Sequence, residues 1–144
     1  MTPILFDSNI LVYAHNLDSP FYEQARGLHQ KVISGELEAA VAIQNLLEFY
    51  SVITNPSIVE AAKPPDEAKN LCLNYITYFE VIYPKEVALN TTLTLAQHKK
   101  VIGRKIFDTF LVATMLANGL DIIYTNNEKH FEIFKEIKAV NPFK

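Results

Sequence analysis

Apolar residues recur along this chain at two spacings, and their alternation predicts the elements. Residues 3–6 form a short apolar run of the kind that makes a buried parallel strand, and Leu11, Val12 and Ala14, after Asn9, continue as a helix. Asp18-Ser19-Pro20 reads as a cap with proline at the first helical position. Phe21, Ala25, Leu28 and Val32 follow at helical spacing until Ser34-Gly35 closes the helix. A second strand-like run covers residues 37–43. Residues 44–54 then read as a helix with Ile43, Leu46, Leu47, Tyr50 and Ile53 on its core side, stopped by Asn55-Pro56.

After an irregular link over residues 57–63, Pro64-Pro65-Asp66-Glu67 opens another helix, in which Ala68, Leu71, Cys72, Tyr75, Ile76 and Phe79 repeat at three- and four-residue steps. Residues 80–83 are a short strand. A helix over residues 86–98 has Leu89, Leu93 and Ala96 inward, and a nearly all-apolar helix over residues 108–118 is closed by Gly119. Residues 121–124 are a strand, residues 127–134 a turn with a short helix, and residues 138–140 a final edge strand. Strands alternating with helices imply an α/β fold with a parallel sheet, right-handed crossovers and helices on both faces. Ligands in such folds bind beyond the carboxyl ends of the strands.

Composition sets the outer bounds. A chain of 144 residues, 49% hydrophobic and 20% charged, suits one globular domain spanning residues 1–144. No apolar segment reaches the roughly 18 uninterrupted residues of a membrane helix. The first positive residue is Arg26, which argues against a secretory signal, so the cytoplasm is the expected compartment. The lone Cys72 makes no intrachain disulfide and reads as a small buried hydrophobe. A net charge of −3 argues against coating nucleic acid by global electrostatics, but the stretch 98–105 gathers Lys99, Lys100, Arg104 and Lys105. That cluster is either a grip for a polyanion or a solvated loop.

Three acids stand alone in stretches otherwise built for burial. Asp7 ends the first strand, Glu48 lies on the helix after the second, and Asp108 opens the apolar helix before the fourth. Glu48 shares its helix face with Gln44, Asn45 and Ser51. All three acids can face one end of the sheet. Singly, Asp7 and Asp108 are equally explained as helix N-caps, a preference of roughly 1 kcal/mol over alanine, and Glu48 as a solvated surface residue. Together they call for a counter-charge, because clustered carboxylates raise one another's pKa. With no His or Cys in the set, a hard divalent cation fits, Mg²⁺ first and Mn²⁺ as the alternative.

Phe6-Asp7-Ser8-Asn9-Ile10-Leu11-Val12-Tyr13-Ala14, Glu48, Asp108-Thr109-Phe110-Leu111-Val112-Ala113-Thr114 and Tyr124-Thr125-Asn126-Asn127 with Phe131 resemble, in order and spacing, the four signature segments of the PIN domain family. Length and compactness are similar to the toxin ribonucleases of VapC-type toxin–antitoxin pairs. The resemblance implies a three-layer α/β/α sandwich with a central, mostly parallel sheet and a Mg²⁺-dependent endoribonuclease whose product carries a 5′-phosphate. It assigns metal-binding acid roles to Asp7, Glu48 and Asp108, gives Asn9 a supporting polar role and places Thr125 and Asn127 beside the site. The fourth segment often carries aspartate where this chain has Asn127, leaving three carboxylates; Glu128 is the nearby acid that could compensate.

The same resemblance implies an antitoxin partner, whose C-terminal segment covers the cleft, and a homodimer. The apolar stretch 49–79 offers a dimer surface or simply core. His15, His29, His98 and His130 are scattered and read as surface or packing residues. Two other readings stay open. One is a catalytically inert PIN-like module that binds RNA or protein. The other is a phosphatase with an aspartate nucleophile, which would want a second aspartate where Asn9 stands and has no glycine-rich phosphate loop here.

Overall fold

The computed structural model describes residues 2–144. Its elements run β1 (Ile4–Phe6), α1 (Ser8–Tyr13), α2 (Tyr22–Ile33), β2 (Ala39–Ala42), α3 (Ile43–Ile53), α4 (Pro65–Tyr78), β3 (Glu80–Ile82), α5 (Ala88–Lys99), α6 (Lys105–Ala117), β4 (Ile122–Tyr124), a 3₁₀ turn (Glu128–Phe131) and β5 (Lys138–Val140). All four strand pairings are parallel, in the order β3-β2-β1-β4-β5. The short strands are almost wholly apolar, as strands covered on both faces must be. The expected α/β sandwich is present, with a sheet that is parallel throughout.

Side-chain alternation along the strands divides the interior in two. On one face Phe6, Ala39 and Val41 pack with Ile10, Leu11, Leu46, Phe49, Ile53 and Tyr75 from α1, α3 and α4, and with Val32 of α2. On the other face Leu5, Ala40, Ala42, Ile82 and Ile123 pack with Leu95 of α5, Leu111, Val112 and Met115 of α6, and Phe131 and Phe134. The chain moves outward from β1 to β2 and β3, then crosses back to β4 on the far side of β1. Strand order therefore reverses between β1 and β4, and the crevice beyond their carboxyl ends is where such sheets bind ligands.

Several expectations change at the helix faces. Leu47 is 66% exposed, because α3 turns Leu46, Phe49 and Ile53 inward, with Phe49 seated against Tyr75 at 5.4 Å between ring centres. On α5 the buried stripe is Ala88, Thr92 and Leu95, and Leu89 and Leu93 point outward. The small Ala88 and Thr92 admit the neighbouring helix α6, and the Thr92 hydroxyl is satisfied by donating to the Ala88 carbonyl at 2.6 Å. Ile76 of α4 is likewise exposed. In the stretch 49–79, Phe49, Tyr75 and Phe79 are buried and belong to the core, whereas Ile58, Leu73, Ile76 and Tyr78 are exposed.

Helix α6 starts at Lys105, three residues earlier than its apolar pattern suggested. Thr109 Oγ1 donates to the Lys105 carbonyl at 2.9 Å, and Lys105 and Asp108 pair one turn apart at 3.8 Å. The basic stretch is consequently the end of α5, a short loop and the first turn of α6. Lys100 closes α5 in the left-handed conformation (φ 56°), and Gly103 takes a second positive φ of 62°, a conformation glycine adopts without penalty.

Candidate active site

Asp7 begins where β1 ends. Its backbone N–H donates to the Tyr124 carbonyl at 3.0 Å, which extends the β1–β4 pairing by one residue and fixes the carboxylate at the switch point. One carboxylate oxygen accepts from the Ser8 N–H at 2.8 Å, so Asp7 caps α1, and the other accepts from Thr125 Oγ1 at 2.8 Å. Capping of α1 and the Thr125 hydrogen bond thus set the orientation of the Asp7 carboxylate.

Thr125, fully buried at the end of β4, is oriented by its neighbours. Its hydroxyl accepts from Asn9 Nδ2 (3.3 Å) and from the Asn127 N–H (3.0 Å), so its own hydrogen is directed to Asp7. Asn9 in turn accepts the Asn126 N–H at 3.3 Å. Hydrogen bonds from Thr125 and Ser8 favour the ionised carboxylate, but desolvation is larger and raises the Asp7 pKa above its ordinary value, with the Asp108 charge adding to the rise.

Glu48 and Asp108 enter from the other side. Helix α3 follows β2 directly, with Asn45 accepting the Ala42 N–H at 2.9 Å to start it; Asn45 is buried there and does not share the Glu48 face. Gln44, one turn before Glu48, donates to the Phe107 carbonyl at 3.1 Å and ties α3 to the first turn of α6. Glu48 has its pKa raised to about 7, by desolvation first and then by the charges of Asp7 and Asp108. Burial likewise raises Asp108, and Lys105 and His130 act against it. Asp108 lies in the first turn of α6 and is not its cap.

The fold therefore brings the three acids near enough for Asp7 and Asp108 to oppose ionisation of Glu48, and for Asp108 to oppose that of Asp7. Glu48 and Asp108 line a cleft of about 940 Å³ together with Gln44, Arg104, Lys105 and His130, beside an apolar wall of Leu47, Leu89, Leu93 and Phe107. Among the described residues, no three His, Cys, Asp or Glu side chains already converge on one point at ligand distance. An all-oxygen set of carboxylates whose pKa values are raised lacks a counter-charge and fits a hydrated Mg²⁺, which keeps several waters and takes one or two carboxylates directly.

Other expected residues separate into those that reach the site and those that do not. Asn127 sits at the turn after β4 with its side chain exposed, and its backbone bonds Thr125. The Glu128 oxygens go to Asn141 (3.4 Å) and Lys144 (3.2 Å), so this acid is already paired. Of the basic cluster, Lys99 pairs with Glu136 at 3.2 Å. Lys105 pairs with Asp108 and also donates to the His130 carbonyl. Lys100 and Arg104 are exposed and, among the described residues, in no ion pair.

The histidines are less scattered than their sequence positions suggest. His130 lines the cleft and its charge lowers the Asp7 and Asp108 carboxyls. The visible sign was its place in the turn that carries Asn127. His15 and His29 lie elsewhere, both bonded to the buried Tyr75 hydroxyl at 3.1 and 2.6 Å.

A parallel sheet with Asp7 at its switch point, and with Glu48 and Asp108 lining a cleft close enough for their charges to act on it or be acted on by it, defines a doubly wound α/β protein with an acidic site at the carboxyl edge of its strands. The chain belongs to the PIN domain family, whose model matches residues 4–138. It is 28% identical over 137 residues to Ribonuclease VapC24 of Mycobacterium tuberculosis (strain ATCC 25618 / H37Rv), covering 94% of each chain. Among solved structures, VapBC2 from Rickettsia felis bound to a promoter DNA fragment matches with a TM-score of 0.68 at 18% identity, covering 96% of this chain and 97% of that one. A toxin–antitoxin complex from Klebsiella pneumoniae matches with a TM-score of 0.63, also at 18% identity, covering 98% of each chain.

Proposed function

We propose that this chain is a Mg²⁺-dependent endoribonuclease, the toxin of a toxin–antitoxin pair, in which Asp7, Glu48 and Asp108 hold the metal. The observation that carries the reading is the electrostatic proximity of three carboxylates around the end of β1, each raised in pKa by desolvation, with Asp7 and Glu48 raised further by their acidic neighbours. The relative named a ribonuclease supports RNA as substrate.

When bound, the metal supplies Lewis-acid stabilisation of the phosphate and an acidified water for in-line attack. Asp7 is oriented by hydrogen bonds from Thr125 and Ser8, which favour its ionised form. Glu48, whose carboxyl is raised to about 7, would have to be deprotonated to hold the cation, so metal affinity should rise with pH. Lys105 holds Asp108 in place, which leaves Arg104 and Lys100 to grip the RNA backbone. Hydrolysis by this route leaves a 5′-phosphate on the downstream fragment.

The likeness to a toxin–antitoxin complex supports an antitoxin as the protein partner. A second copy of the chain packs on the face made by Leu47, Leu89, Leu93 and Phe107, each more than half exposed; so large an apolar face marks an interface, and a two-fold dimer uses the same patch on both copies. With no described helix long and apolar enough to cross a membrane, the proposed compartment is the cytoplasm. Purified chain incubated with RNA and Mg²⁺ should yield 5′-phosphorylated fragments and should stop when the metal is chelated. RNA bound and left intact would instead favour the inert binding module.

A further inference from the structure

The segment after β5 reaches back to the site through a hydrogen-bond chain whose direction is set at every step. The Phe143 N–H, which can only donate, bonds Asn141 Oδ1 at 2.9 Å. The Asn141 amide nitrogen must then face the other way, where it donates to Asn126 Oδ1 at 3.0 Å and to Glu128 at 3.4 Å. That turns Asn126 Nδ2 toward the Tyr13 hydroxyl at 3.0 Å, and leaves the Asn126 N–H donating to Asn9 Oδ1 at 3.3 Å. Asn9 Nδ2 consequently donates to Thr125, whose hydroxyl hydrogen ends on Asp7.

Packing holds both ends of this chain. The Phe143 ring stacks on Phe21 at 4.6 Å with 15° between planes and sits 5.7 Å from Tyr13, so the residue that orients Asn141 is itself clamped against α1 and the start of α2. Lys144 pairs with Glu128 at 3.2 Å and fixes the same turn from outside. Asn126 spends its backbone N–H, its amide N–H and its amide oxygen on Asn9, Tyr13 and Asn141, and has no second arrangement that satisfies all three.

We infer that residues 141–144 form a latch and that Asn141 and Tyr13 are positioning residues for the proposed metal site, acting through Asn126, Asn9 and Thr125 on the orientation of Asp7. The inference rests on the metal-site reading proposed above. A residue that orients a metal ligand from behind, as Thr125 does Asp7, costs about 10- to 100-fold in affinity when lost, and Asn141 and Tyr13 stand three hydrogen bonds further out, so their loss should cost less than that.

The test uses the full chain without RNA, titrated with Mn²⁺ and followed by its electron paramagnetic resonance. Asn141→Ala and Asn141→Asp should each weaken Mn²⁺ binding severalfold, by less than the roughly tenfold or greater loss expected for a direct partner of the ligand. Asn141→Asp keeps the acceptor for the Phe143 N–H but removes the donors to Asn126 and Glu128 and sets a carboxylate against both, so it is the harsher variant, and Tyr13→Phe, which leaves the 141–144 turn untouched, separates positioning from turn shaping. Tyr13→Phe, which deletes one hydroxyl and keeps the ring, should weaken binding in the same direction and decides the question if the Asn141 variants fail to fold. In the cleavage assay, kcat should fall while KM for RNA holds. Wild-type affinity in Asn141→Asp or in Tyr13→Phe overturns the latch, as does a wild-type chain that binds no Mn²⁺. Should the wild-type chain bind Mn²⁺ without cleaving RNA, weakened binding in the variants still supports the latch, and it is the endoribonuclease reading that fails.

Discussion

Replacing Glu48 by glutamine should stabilise the metal-free protein, and only at neutral to alkaline pH. The carboxyl is raised from 4.5 to about 7, first by desolvation and then by the charges of Asp7 and Asp108. A folded-state pKa above the unfolded one means that the native state holds the proton more tightly. The group's stabilising contribution is therefore complete below about pH 4.5 and is lost as pH rises through about 7. Above that pH, an ionised Glu48 destabilises the fold unless a cation offsets it. The interval from 4.5 to about 7 corresponds at full value to about 3 kcal/mol, and solvent screening at this exposed side chain reduces it to about 1 kcal/mol.

Glutamine carries no charge at any pH, so the variant should gain about 1 kcal/mol, or about 3 °C in Tm, at pH 8 in chelator, and nothing at pH 4. Urea unfolding of both proteins at the two pH values gives the comparison. The difference between variant and wild type is the quantity to read, because His15 and His29 titrate with the opposite sign. Adding Mn²⁺ at 100 times its Kd should reverse the order, since the wild type then gains about 2.7 kcal/mol from binding and the variant gains less. Destabilisation by Glu48→Gln at pH 8 in chelator, or an equal gain at both pH values, would refute the electrostatic coupling of the three acids.

Three further outcomes follow from the same geometry. Exchanging Lys100 and Arg104 for alanine should flatten the slope of log affinity for single-stranded RNA against log salt by about 1.4, and Lys99→Ala, whose ammonium already pairs with Glu136, should leave it unchanged. Tyr75→Phe should cost about 1–3 kcal/mol in urea unfolding at pH 7. His29 Nδ1 donates to the Ala25 carbonyl at 2.7 Å, so its Nε2 is an acceptor that loses its partner. His15 and His29 are both lowered to about 4, chiefly by desolvation, so their stabilising contribution is present above about pH 6.5 and lost as pH falls through about 4. An acid titration of wild-type stability should show that loss, overlaid on the opposite trend from Glu48.

Local pattern carried most of the architecture. The apolar runs ending at Phe6 and Tyr124 are strands because nothing but a two-sided core suits them, and their carboxyl ends locate the site. Asp7, Glu48 and Asp108 were visible as lone acids in apolar surroundings, since a charge in such a place needs a reason. What periodicity could not show is which of two adjacent apolar stripes a helix buries. On α5 the outcome turned on Ala88 and Thr92, which are small enough for α6 to pack against, and left Leu89 and Leu93 outside.

The polar latch was invisible for a different reason. Asn9 has a supporting role in the family resemblance, but Asn126 and Asn141 look like ordinary turn residues, and only the sheet order makes the three neighbours. The basic cluster was read correctly as a cluster, but pairing of Lys99 with Glu136 and of Lys105 with Asp108 is a tertiary outcome that halves its free charge.

The central claim is most directly tested by RNA cleavage with Asp7→Asn, which keeps the capping oxygen for Ser8 and removes the charge. Wild-type chain should cut RNA in Mg²⁺ and lose the activity in chelator, and the variant, folded as judged by an unchanged urea midpoint or a higher one, should be slower by about a hundredfold or more. Cleavage by Asp7→Asn at the wild-type rate, or by the wild-type chain in chelator, would contradict the account.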